Sequence, residues 1–134
     1  MKEDIKPPKV EDVAIAIVRE ANDKGEPGWM VYFVSMRDHL IEGVLVRSNG
    51  YGNDQDEPTR TSELRHSLNE VPAMSFAKVE PIMEDVFHLF NQYWVSFFYD
   101  GKMYDKKYVF VPDAISEKNL VQVPVLLKMG VMIR

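Results

Sequence analysis

Apolar side chains recur at every second position in several separate runs of the chain, the period of a half-buried β-strand rather than of a helix. In VAIAIV, the branched Val13, Ile15 and Ile17 fall on one face and Ala14 and Ala16 on the other. Two small side chains on that second face predict another segment packed close against it. ANDKGEPG breaks the pattern with turn formers, and WMVYFVSM (29–36) resumes it. VLVRS (44–48) is a third run, after the polar RDHLIEG. In ELRHSLNEV, Leu64, His66 and Leu68 alternate, although Leu64, Leu68 and Val71 would also fit a helical face. Pro72 and the renewed alternation of Ser75, Ala77 and Val79 favour the strand. MEDVFHLFN reads as a connecting turn or one short helix.

The clearest local signal is QYWVSFFYDGKMYDKKYVFV, two strand-like runs joined by Asp100-Gly101, the pair that favours a two-residue type I′ turn. Tyr99 opposite Lys102 would pair Phe97 with Tyr104 and Tyr93 with Tyr108 on one face. The other face would pair Phe98 with Met103 and Trp94 with Lys107. Beyond it, Ser116 is placed to cap a helix over about 116–129, with Leu120, Val123 and Leu127 on one face. Pro124 would kink that helix, Gly130 would end it, and VMIR could add a short strand. About seven strands at short spacing, joined by short loops, imply antiparallel pairing. The expected fold is a mainly β, single-domain antiparallel β-sandwich with one C-terminal helix. The pattern resembles an immunoglobulin-like or fibronectin-like sandwich, without the paired cysteines of the former. Residues 1–10, with Pro7 and Pro8, read as an extended tail before a domain of 11–134.

Composition narrows the possible functions. The 134 residues are 46% hydrophobic and 28% charged, enough apolar surface for one folded core. A formal net charge of −5 supplies no global field for nucleic acid or acidic lipid. There is no cysteine, which excludes disulfides and thiol chemistry and suits a reducing compartment. The N-terminal MKEDIKPPKVED has no apolar core of a signal peptide, and no apolar run approaches a membrane span. A cytoplasmic protein without membrane contact is expected.

The polar stretch NGYGNDQDEPTRTSELRHS, 49–67, holds most of the candidate chemistry. Gly50-Tyr51-Gly52 follows a strand as a phosphate-cradling turn would, but Gln55 stands where a dinucleotide fingerprint needs glycine. Asp54, Asp56 and Glu57 offer oxygen ligands without the spacing of a calcium loop. On a strand, Arg60, Ser62, Leu64 and His66 would share one face, and Thr61, Glu63, Arg65 and Ser67 the other. Convergence of Arg47, Tyr51, Arg60, Arg65 and His66 would make an anion-binding or acid–base site. His39, His66 and His88 show no metal-ligand spacing and no serine sits in a nucleophile elbow, so neither cofactor nor metal is expected.

The hairpin offers a second surface. Tyr93, Trp94, Tyr99, Tyr104, Lys107 and Tyr108 interleave aromatic and basic side chains, as a platform for single-stranded nucleic acid does. Such pairs also stabilise ordinary sheets, and exposed aromatic area marks protein contacts. With acidic residues in excess, nucleic acid is disfavoured. The leading expectation is a non-enzymatic module for contact with a protein partner or a second copy of itself. The alternatives are a ligand or enzymatic site on 47–66 and single-strand binding by the hairpin.

Overall fold

The computed structural model describes residues 9–52 and 60–134. Most of the N-terminal tail and the acidic run Asp54 to Glu57 lie outside the described residues. The described residues form nine strands: β1 (Val13–Ala21), β2 (Pro27–Ser35), β3 (Ile41–Tyr51), β4 (Leu64–Val71), β5 (Ser75–Pro81), β6 (Phe90–Tyr99), β7 (Lys102–Phe110), β8 (Val121–Gln122) and β9 (Met129–Ile133). They build two sheets, a five-stranded one in the order β5-β2-β1-β9-β8 and a four-stranded one in the order β4-β3-β6-β7. Every pairing within them is antiparallel, and the arrangement fits a β-sandwich. Among the described residues no helix is long and apolar enough to cross a membrane.

The inner faces meet in one core. Val13, Ile15 and Ile17 of β1 and Val31 and Phe33 of β2 belong to the same buried cluster as Val44, Val46, Val95, Phe97 and Phe110 of the other sheet. Each such side chain contributes about 1.5 to 3 kcal/mol by leaving water. Tyr108 is also buried there and donates its hydroxyl to the Val13 carbonyl oxygen at 3.2 Å, tying β7 to β1. Val10, just before β1, packs on the same core. The Asp100-Gly101 turn has positive φ at both residues, 51° and 71°, and the β6–β7 register follows the expected pairs from Tyr99↔Lys102 to Tyr93↔Tyr108.

The C-terminal helix expected over 116–129 is not formed. Ser116 does cap, accepting from Lys118 N at 3.4 Å, but only a single 3-10 turn, Glu117–Asn119, follows it. Leu120 is then extended, and a turn from Val123 to Lys128 leads into β9. Two causes combine. Pro124 has no N–H for a helical ladder, and Val125 and Leu127 adopt positive φ of 70° and 56°. Val123 and Leu127, expected on one face, part company: Val123 is fully buried and Leu127 is 71% exposed.

The turn also covers the second face of β1. Ala14, Ala16 and Val18 cluster with Tyr32, Val34, Val123 and Leu126, so the small side chains do mark a close approach. Gly130 is part of that approach. A Cβ there would lie 3.0 Å from the Ile17 carbonyl oxygen and 3.1 and 3.2 Å from the methyls of Val18 and Val123. A clasp holds the turn in place: Tyr32 donates to both oxygens of Glu20 at 2.8 and 3.0 Å, and Lys128 donates to Glu20 Oε2 at 2.7 Å. Burial pushes the Glu20 carboxyl up, but the bonds from Lys128 and Tyr32 outweigh it and hold the group below its ordinary value.

Gly130→Ala is expected to cost about 1 to 3 kcal/mol in urea unfolding, because a backbone oxygen in a paired strand cannot move aside. For Glu20→Gln the sign follows from the lowered carboxyl. The wild type's advantage is full above the unfolded carboxylate range and is lost as pH falls through the folded value. Thermal melts of wild type and variant should therefore differ most above the unfolded carboxylate range and draw together as the pH falls below it.

Candidate functional site

The polar stretch borders a cleft at the seam where β3 and β4 of one sheet face β5 of the other. Its key residue is Glu80. Along β5, Ala77 pairs with Phe33 and Lys78 with Tyr32, but Glu80 pairs with Val31, so Val79 is an extra residue, a β-bulge. The bulge buries Val79 in the core and turns Glu80 into the seam as well, where simple alternation would send it outward. Glu80 Oε1 accepts a hydrogen bond from the Ser48 hydroxyl of β3 and lies 2.9 Å from His66 Nε2 of β4.

The order of these three groups matters. The carboxylate stands between hydroxyl and imidazole, so His66 is not placed to take the Ser48 proton as a catalytic base would. Below them Tyr93 of β6 is 2% exposed. Burial, and after it the negative charge of Glu80, pushes its phenol up. Asn91, also buried, donates its amide to the carbonyls of Val86 and Leu89 at 3.0 and 3.2 Å. The cleft holds about 280 Å³ and is walled by Gly50, Thr61, Leu64 and the strap from Pro81 to Val86. Beyond the strap is a second hollow of about 620 Å³. There Arg19 lies over Trp29, 5.2 Å from the ring centroid, and pairs with Glu84 and Glu117 at 3.6 and 3.4 Å.

The expected arginine–histidine site is not assembled. His66 lies opposite Val46, on the inward face, whereas Arg47 and Arg65 pair with one another on the outward face. Tyr51 stacks on Phe90 with 5.2 Å between centroids, and Arg60 bridges to Tyr51 as an exposed residue. Arg47 pairs with Glu63 at 3.7 Å, so Glu63 serves Arg47 across the strands. His39 stacks on Tyr99 with 3.7 Å between centroids, and His88 is exposed.

The outward face of the four-stranded sheet carries a different constellation. Register places Arg65, Arg47, Trp94 and Lys107 in one row across all four strands. Arg47 and Lys107 approach the Trp94 ring from the strands on either side, 4.2 and 4.5 Å from its centroid. Phe98 and Met103, directly opposite each other, lie on the same face and are 47% and 54% exposed. The expected aromatic surface is therefore smaller. Tyr93 and Tyr108 belong to the core, and Tyr99 and Tyr104 point inward under the Arg37 guanidinium, 5.3 and 5.5 Å from their centroids. Alternation sends odd-numbered aromatics of β6 inward and leaves only Trp94 and Lys107 of the expected set outside.

Ser48, Glu80 and Asn91 carry no sequence signal of a site. Glu80 would read as the exposed member of SFAKVEP, because a bulge cannot be seen in an alternating pattern.

Glu80→Ala leaves Ser48 and His66 without their acceptor and is expected to cost about 2 to 4 kcal/mol in chemical denaturation. Glu80→Gln keeps an acceptor oxygen in place and should cost no more than about 1 kcal/mol. Equal losses would show that the seam does not depend on these bonds. No protein-family model matches the chain, and no curated protein and no solved structure matches it either.

Proposed function

We propose that the protein is a non-enzymatic interaction module that docks a protein partner on the outward face of its four-stranded sheet. The supporting observation is an asymmetry between the two sheets. On the outward face of the five-stranded sheet, the chain's own 123–128 turn covers β1 and β2 through Val123 and Leu126, and Phe76 of β5 is left 46% exposed at its edge. On the four-stranded sheet, a Trp held between Arg and Lys and an exposed Phe–Met pair lie without such cover among the described residues. Trp and Arg at the centre of a face are the residues that dominate binding energy in protein interfaces. An immunoglobulin-like or fibronectin-like sandwich used for contact, in a reducing compartment such as the cytoplasm, fits this reading and a chain without cysteine.

The partner presents acidic groups to Arg65, Arg47 and Lys107. A second copy meeting this face symmetrically would set the cationic row against itself, which disfavours a face-to-face homodimer. Single-stranded nucleic acid is less suited, because the Trp94 ring is already flanked by cations and is not free for base stacking.

A photo-reactive side chain in place of Ser96, two residues from Trp94 on the same face, should yield one dominant protein adduct in the native host. Arg47→Glu with Lys107→Glu should abolish it while the thermal transition stays within a few degrees. An adduct that survives the charge reversal would refute the assignment of this face. A concentration-dependent dimer in light scattering that the reversal dissociates would replace the separate partner with a second copy.

A further inference from the structure

The seam cleft differs in charge from the row outside it. Its walls contain two carboxylates, Glu80 and Asp85, and neither lysine nor arginine. A cluster of acids alone would be a solvated surface, but this one borders polar tips of residues that are otherwise almost wholly buried. Tyr93 is 2% exposed and lines the cleft, and its hydroxyl, without a hydrogen-bond partner among the described residues, is not sealed from solvent. Asn91, 5% exposed, uses its amide N–H groups on backbone carbonyls, so the side-chain oxygen is the atom it has left to offer. That oxygen lies 3.4 Å from the point where a Cβ on Gly50 would stand. The same point lies 3.3 Å from the Thr61 methyl and 3.4 Å from a Leu89 methyl, so glycine at position 50 lets these groups close in around the Asn91 oxygen.

Four acceptors therefore share the lining of this cleft, the Glu80 and Asp85 carboxylates, the Asn91 oxygen and the Tyr93 hydroxyl oxygen, beside the hydroxyls of Ser48, Thr61 and Ser62. Leu64, Ile82 and Val86 give the rest of the cleft an apolar lining. An ammonium group carries three donors, no acceptor and one positive charge, which matches that set. About 280 Å³ accommodates on the order of nine non-hydrogen atoms at the packing of liquid water. We propose that this cleft binds a primary alkylammonium, with the charged end against Glu80 and the alkyl chain along Leu64 and Ile82. The site is separate from the outward sheet face and has the opposite preference in charge. It reverses the anion site that the arginines and histidine of 47–66 lead one to expect.

The test is a titration with n-pentylamine followed by backbone amide shifts at about pH 8. Pentan-1-ol and pentanoate serve as the uncharged and anionic matches. Pentylamine should move the amides of Glu80, Asn91 and Tyr93 with saturation, pentanol should bind at least about tenfold more weakly, and pentanoate should not bind. Glu80→Gln should weaken pentylamine by at least about tenfold, whereas Trp94→Ala should leave it unchanged. If Glu80→Gln alters the fold, Asp85→Asn and a Leu64→Trp plug test the same site independently, each expected to weaken binding. Nα-acetyl-lysine amide distinguishes the source: tighter binding than pentylamine assigns a lysine side chain, weaker binding a free amine. Equal affinity for pentanol and pentylamine, shifts confined to other residues, or no saturable shift would overturn the proposal. Loss of the partner adduct on the sheet face would leave this result untouched, so the two readings fail separately.

Discussion

The structure depends on the burial of β1 on both of its faces. Every side chain from Val13 to Val18 is buried, and the two faces belong to two different clusters. One face, Val13, Ile15 and Ile17, needs the inner face of a second sheet. The other, built from two alanines and a valine, lets its cover approach closely. The tight turn at 123–128 is that cover, and β9 satisfies the backbone edge of β1 at the same time. Positive φ at Val125 and Leu127 is strain set against this gain.

Covering one sheet with the chain's own C-terminal segment leaves the other sheet to face outward. Alternation then sorts the residues of β6 without exception between Phe90 and Phe98. Tyr93, Val95 and Phe97 fill the core, and Gln92, Trp94 and Ser96 meet the outside. The same rule separates Arg47 and Arg65 from His66, although they are close in sequence. Cations gather on the open face and acceptors at the seam, so one short region of chain contributes to two surfaces of opposite charge preference. The bulge at Val79 is what keeps the seam polar, because it sets Glu80 against Ser48 and His66.

Much of this was legible in residue order. The strand choice for 64–71, the Asp100-Gly101 turn, the β6–β7 register and the close packing over Ala14 and Ala16 all follow from alternation and turn chemistry, which are local. The C-terminal segment was not, because Leu120, Val123 and Leu127 have helical spacing, which the break at Pro124 and packing on the far face of β1 together override. Arg47, Arg65 and His66 look like one site on paper, since a list of residues does not show which face each one takes. Glu80 was invisible for a related reason: one inserted residue shifts a side chain across a sheet without changing the local composition.

The central claim is that the C-terminal segment lies as a turn and strand on the alanine face of β1. Methyl-resolved nuclear Overhauser spectroscopy reads this contact directly. Cross-peaks should link Ala14, Ala16 and Val18 with Val123 and Leu126, and amide exchange at 130–133 should be as slow as in β1. Sequential helical cross-peaks through 116–129, with no link from those residues to the two alanines, would contradict the account.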